Sequence, residues 1–133
     1  MKVEDIEGIG PVYAAKLADA GVATVEKLLE AGGTAKAREE LAEKTGISKT
    51  NILEWVNRAD LYRVKGVGSE YSDLLEAAGV DTVVELATRN AANLAKKLAE
   101  VNAEKQIVRQ LPSEKQVEAW IEHAKTLPRA VSY

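Results

Sequence analysis

The segment Ile6-Glu7-Gly8-Ile9-Gly10-Pro11-Val12-Tyr13-Ala14-Ala15-Lys16-Leu17 returns as Val64-Lys65-Gly66-Val67-Gly68-Ser69-Glu70-Tyr71-Ser72-Asp73-Leu74-Leu75, at a constant offset of 58 residues. The match continues through Ala20-Gly21-Val22 against Ala78-Gly79-Val80, then Thr24-Val25 against Thr82-Val83. The shared pattern is apolar-x-Gly-apolar-Gly, followed by a small residue and a leucine at helical spacing. Two glycines one residue apart let a chain reverse between helices in conformations closed to residues with a Cβ. A helix that begins directly after the second glycine leaves its first N–H groups without helical acceptors, facing out of the turn towards any anion.

A looser echo sits inside each half. Gly46-Ile47-Ser48 with Ile52 and Trp55 copies the spacing of Gly8-Ile9-Gly10 with Ala14 and Leu17. Leu111-Pro112-Ser113 with Val117 and Trp120 copies it once more. Trp55-Val56 and Ala59 match Trp120-Ile121 and Ala124 at an offset of 65, so the second half carries an insertion near residues 100–111. Repetition at this period marks duplicated supersecondary units. The expectation is an all-α chain of two tandem repeats, each a pair of hairpin units: residues 1–60, then residues 61–133 with the insertion.

Composition narrows the class. Hydrophobic residues make up 46% of the 133, but aromatics only 5% and Phe is absent, so Ala, Leu and Val must fill the core. There is no Cys, which excludes disulfides and thiolate metal sites. No apolar run approaches the ~20 residues of a membrane span. The amino end, Met1-Lys2-Val3-Glu4-Asp5, lacks the apolar stretch of a signal peptide. These features predict a cytoplasmic protein with no membrane partner.

Helix signals are dense. A short helix over Val3–Glu7 leads into the first turn, and Pro11, whose missing N–H costs nothing at a helix start, opens the next. Gly21 and Gly32-Gly33 stop helices, while Thr24, Thr34, Ser48, Ser69, Thr82 and Ser113 read as caps. A helix from near Asn90 is expected to run through the insertion towards Arg109 with one irregular step, on the spacing of Leu94, Leu98, Val101 and Ile107-Val108. The tail after Leu127-Pro128 is expected to fray or to dock on a partner. No segment reads as a strand.

The Gly8-Ile9-Gly10-Pro11 turn, with Ala14 and Leu17, resembles the helix-hairpin-helix motif of proteins that grip nucleic-acid backbones. The run from Ile6 through Leu28 to Gly46-Ile47-Ser48 is similar to the small helical N-terminal domain of archaeal and eukaryotic strand-exchange recombinases. The whole chain resembles a bacterial and archaeal domain-of-unknown-function family built from duplicated domains of this kind. The resemblance implies that each repeat is a pair of helix-hairpin-helix units. It also implies sequence-independent contact with a double-stranded DNA backbone, made by Gly8, Ile9 and Gly10 in the first hairpin and by Arg63, Lys65, Gly66, Val67 and Gly68 around the second. It implies no cofactor beyond a weakly held monovalent cation at hairpin carbonyls of Gly8, Gly10, Gly66 and Gly68.

Charge sets this implication against a rival. The chain carries 18 Lys and Arg against 21 Asp and Glu, a net charge of −3. Non-specific DNA affinity comes mainly from cations that displace counterions, so an acidic module binds weakly unless its cations are gathered on one face. Val12 and Glu70 occupy positions where nucleic-acid binders often place Lys or Arg, and Glu4, Asp5 and Glu7 flank the first turn. The second turn is better supplied by Arg63 and Lys65. A stripe from Lys96, Lys97, Lys105, Arg109 and Lys115 is the other candidate. The alternative function is a protein-interaction or scaffolding adaptor that has lost DNA binding, its glycines kept only to make turns. Tyr13 and Tyr71, matched across the repeat, would bond a phosphate or stack on a base if exposed; the favoured reading packs them beneath the turns with hydroxyls reaching carbonyls. Trp55 and Trp120 read as core.

Catalysis finds no support. His123 is the only histidine and pairs with no nucleophile by spacing. Gly-x-Gly follows no strand, so neither a dinucleotide fingerprint nor a phosphate-loop lysine motif is present. The expectation is a non-enzyme with no catalytic residues and no metal ligands.

Overall fold

Eight α-helices follow a short 3-10 helix at Val3–Asp5 in the computed structural model, which describes residues 1–133. They are α1 (Pro11–Asp19), α2 (Val25–Ala31), α3 (Ala35–Thr45), α4 (Lys49–Leu61), α5 (Ser69–Ala77), α6 (Val83–Ala87), α7 (Ala91–Lys105) and α8 (Glu114–Thr126). The sole β-type pairing is an isolated bridge between Lys2 and Thr24. The protein is all-α. No helix is long and apolar enough to cross a membrane.

Helix boundaries follow local chemistry. Thr24, Thr34, Asn90 and Ser113 each accept from the backbone N–H three residues on, at 3.1 Å. Thr82 does the same at 3.3 Å and Ser48 at 3.1 Å. Such oxygens satisfy amides that have no helical acceptor. Gly21, Gly46 and Gly79 follow helix ends at positive φ. Ser69 corrects its expected place: Gly68 is the cap residue and Ser69 the first residue of α5, with its carbonyl accepting from Ser72 Oγ at 2.8 Å.

The chain divides into two units. The first comprises Met1–Asp60 with Ala130–Tyr133, and the second Leu61–Arg129. In the first, Ile6, Ile9, Leu17, Leu28, Ile52, Trp55 and Val56 are buried, and α2 packs on α3. The second is centred on Leu74, Leu75, Leu86, Leu98, Val117 and Trp120, with α8 packed against α6 and α7, and α7 against α5.

Two expectations about the carboxyl-terminal part are corrected. The α7 helix does not run towards Arg109: it stops at Lys105, where Gln106 turns left-handed at φ 51°. Asn102 then clamps the loop, its Oδ1 accepting from Val108 N at 2.9 Å and its Nδ2 donating to Val108 O at 3.2 Å. A side chain that offers a donor and an acceptor to one peptide stabilises the loop where the helix ladder no longer does. The tail does not fray either. Val131 is 2% exposed, and Ser132 N donates to Gly33 O at 2.8 Å, so residues 130–133 belong to the first unit.

Candidate nucleic-acid interface

The two glycine turns share one local geometry. In the second, Val64 N donates to Leu61 O and Val67 N to Val64 O, at 3.1 and 3.0 Å, which winds the chain tightly into α5. In the first, Ile6 N to Val3 O and Ile9 N to Ile6 O do the same at 3.0 and 3.1 Å. Ile9 and Val67 are buried, pinning each turn to its core. Their side chains are therefore closed to a ligand.

The glycines divide by role. Gly8 and Gly66 sit at φ +94° and +90°, the left-handed region that costs other residues about 1–2 kcal/mol. Beneath each lies an indole: a Cβ on Gly8 would stand 3.4 Å from Trp55 Nε1, and one on Gly66 3.1 Å from Trp120 Nε1. Gly10 and Gly68 are different. Their φ values are −83° and −105°, open to any residue, and a Cβ on either would meet nothing within 4 Å. The turn does not require a glycine at the second position of either pair.

The second turn opens on a cleft of 540 Å³ lined by Gly66, Gly68, Ser69, Glu70, Tyr71, Arg109 and Gln110. The backbone N–H groups of Gly68, Glu70 and Tyr71 have no intramolecular acceptor, as expected where a helix begins. Tyr71 packs on Trp120 with ring centroids 5.1 Å apart, and its hydroxyl donates to Gln110 O at 3.1 Å. That bond ties the clamped loop to the turn and sets Arg109 at the cleft. Arg109 makes no ion pair and is exposed, as is Glu70 across the same cleft. Among the five cations of the expected stripe, only Arg109 lines the cleft.

Arg63 and Lys65 part company. The Arg63 guanidinium donates to Pro128 O at 2.7 Å, which fastens it to the end of α8. The Lys65 side chain is exposed and unpaired, while its backbone N–H donates to His123 Nδ1 at 2.9 Å. His123 thus holds the turn from α8. Residue spacing carries no sign of this contact or of Gln110, because both partners lie far along the chain.

The first turn has a different setting. Gly8 and Gly10 are exposed, Val12 is 68% exposed, and Glu4, Asp5 and Glu7 are all exposed nearby. Beside it, Lys2, Val3, Glu4, Pro11, Ala14, Ala15, Ala18, Ala23 and Thr24 line a groove of 470 Å³. Tyr13 packs on Trp55 with centroids 5.2 Å apart. No group of three or more His, Asp or Glu side chains is arranged to hold a metal ion.

A family model described as a domain of unknown function (DUF4332) matches residues 7–127, a span that takes in both glycine turns and the clamped loop. The chain belongs to that family. No curated protein and no solved structure matches it.

Proposed function

We propose that the chain is a non-catalytic module of two tandem domains, each a pair of helix-hairpin-helix units, that binds the nucleic-acid backbone without sequence specificity through its second hairpin. The observation that carries this reading is Gly68. Its backbone is extended and the space beside it is empty, so neither the turn nor the core calls for glycine there. A missing side chain at that point does serve one purpose, the close approach of an outside group to the bare amides of Gly68, Glu70 and Tyr71. A phosphate in the cleft meets those amides with Arg109 at the wall and Lys65 on the turn. Arg63 acts as a fastener of the turn rather than a contact.

Double-stranded DNA is the partner this arrangement suits. Glu70 and the net charge of −3 keep affinity low and strongly dependent on salt. The first hairpin, ringed by Glu4, Asp5 and Glu7, contributes little to such binding. Fluorescence-anisotropy titration of a short duplex at about 50 and about 200 mM salt tests the reading, since phosphate contacts release counterions and make affinity fall with salt. Wild type is expected to bind at the lower salt, with binding reduced by Lys65→Glu and by Arg109→Glu. No binding at the lower salt removes this function.

The rival reading, an adaptor that docks another protein, draws on the groove walled by Ala14, Ala15, Ala18 and Ala23 beside the exposed Val12. Ala15→Arg fills that groove without touching the second hairpin. A partner lost on Ala15→Arg, together with absent DNA binding, favours the adaptor.

A further inference from the structure

Arg38 is a buried cation, 5% exposed, and it faces a groove that the chain's own residues fill. Its Nη1 donates to Gly32 O at 2.8 Å and its Nη2 to Ser132 O at 2.7 Å. Ser132 is held from its other side as well, because its N–H donates to Gly33 O at 2.8 Å. Both main-chain groups of one residue are therefore read, as in recognition of an extended peptide. Val131 beside it is buried, and the Tyr133 hydroxyl bonds Asn57 Oδ1 at 3.2 Å. The Tyr133 ring lies 5.9 Å from the Arg38 guanidinium carbon, within cation–π range.

The groove is built for a passing chain. Gly33 is not at positive φ, yet a Cβ there would stand 2.8 Å from Ala130 O, so its bare backbone makes the room. The walls come from the end of α2, from α3 and from α4, through Gly32-Gly33, Arg38 and Asn57, and none of these lies in the segment that fills it. When that segment leaves, the bond from Arg38 to Gly32 O keeps the guanidinium in place, with its second nitrogen turned towards the vacated carbonyl position. Departure of the segment exchanges a charge-assisted bond to a carbonyl for water, and another peptide carbonyl at the same position restores that bond.

We propose that this groove is a peptide-recognition site for an extended segment of the pattern apolar-x-aromatic, and that residues 130–133 are its intramolecular ligand, released without unfolding of the helices. The site is separate from the second hairpin and does not depend on the nucleic-acid reading.

The test uses the full-length chain with Val131→Asp, which ejects the segment by charging its buried residue. A labelled peptide, Pro-Arg-Ala-Val-Ser-Tyr with blocked ends, is titrated and followed by fluorescence anisotropy. The expected result is saturable binding to Val131→Asp, at least tenfold weaker binding to wild type, whose site is filled, and loss of binding when Gly33→Ala is added. Equal binding to wild type and Val131→Asp overturns the proposal. Collapse of the helical circular-dichroism signal in Val131→Asp also overturns it, since the segment is then core rather than ligand. Hydrogen exchange supplies a second measurement on the intact chain. The Ser132 amide is expected to exchange at least tenfold faster in Gly33→Ala than in wild type, with α3 and α4 unchanged, and an unchanged Ser132 rate counts against the proposal.

Discussion

Trp120 supports Gly66 from below, its Nε1 3.1 Å from the point where a Cβ on that glycine would stand, while its ring meets Tyr71 at 5.1 Å between centroids. One indole thus reaches the two ends of the turn, the left-handed glycine and the first turn of the helix that follows. Trp55 holds the same place beneath Gly8 and Tyr13, at 3.4 and 5.2 Å.

This contact separates the two glycines of the turn experimentally. Gly66→Ala meets both the positive φ and the indole, and is expected to lower unfolding free energy by about 1–2 kcal/mol. Gly68→Ser places a capping hydroxyl at a compatible backbone angle, and is expected to leave stability unchanged or raise it by about 0.3 kcal/mol, since glycine is itself a tolerable cap. The same hydroxyl would occupy the amides to which the proposed function assigns the phosphate, so on that proposal DNA binding is expected to fall while stability does not. Urea denaturation read alongside anisotropy checks both halves; matching losses of stability in the two variants contradict the division of roles.

Asn102 is the clamp of the loop that carries Arg109. Asn102→Ala removes both bonds to Val108 and is expected to cost about 1–3 kcal/mol, from two lost hydrogen bonds with partners left partly buried. Its effect on DNA affinity is expected to resemble that of Arg109→Ala, because the loop then no longer fixes the arginine at the cleft. Affinity that survives Asn102→Ala would place the cation contact elsewhere.

His123 acts through the backbone of Lys65. Replacing it with leucine removes the acceptor of the Lys65 N–H, and a loss of about 0.5–1.5 kcal/mol is expected, the usual net worth of one such bond. The readout specific to this role is faster amide exchange at Lys65 and its neighbours, with the amides of α7 unaffected.

Arg38 anchors residues 130–133 and the end of α2 together. Arg38→Met keeps much of the aliphatic volume and removes two charge-assisted bonds to carbonyls, for an expected loss of about 2–4 kcal/mol. Thermal unfolding of the variant checks the figure. Near-wild-type stability would show that water replaces those bonds freely.

Much of the architecture was legible in the sequence because it rests on local rules. Thr24, Thr34, Ser48, Thr82 and Ser113 cap helices through bonds to amides three residues away, and that spacing is written in the chain. Pro11 opens α1 for a reason internal to one residue. The repeat matched the two tyrosines to each other and the two tryptophans to each other, but at different offsets. The packing of each tyrosine on the indole of its own half therefore came only with the tertiary structure. Local rules failed at Gln106, where helical apolar spacing continued past a residue that leaves the helix, since spacing carries no record of φ. They also failed at Ser69, displaced from the cap by Gly68.

The sequence by itself determined an all-α chain with two glycine turns and helices starting directly after them, because helix caps, glycine breaks and 3.6-residue spacing act over a few residues. Tertiary structure decided which atoms those turns expose. It gave the left-handed conformation to Gly8 and Gly66 and left Gly10 and Gly68 bare, it turned Arg63 onto Pro128, and it brought Arg109, His123 and residues 130–133 to partners 39 to 99 residues away in the chain or set them beside such contacts. Contacts at that separation depend on how packed cores fix helices in space, and no local pattern of residues encodes them.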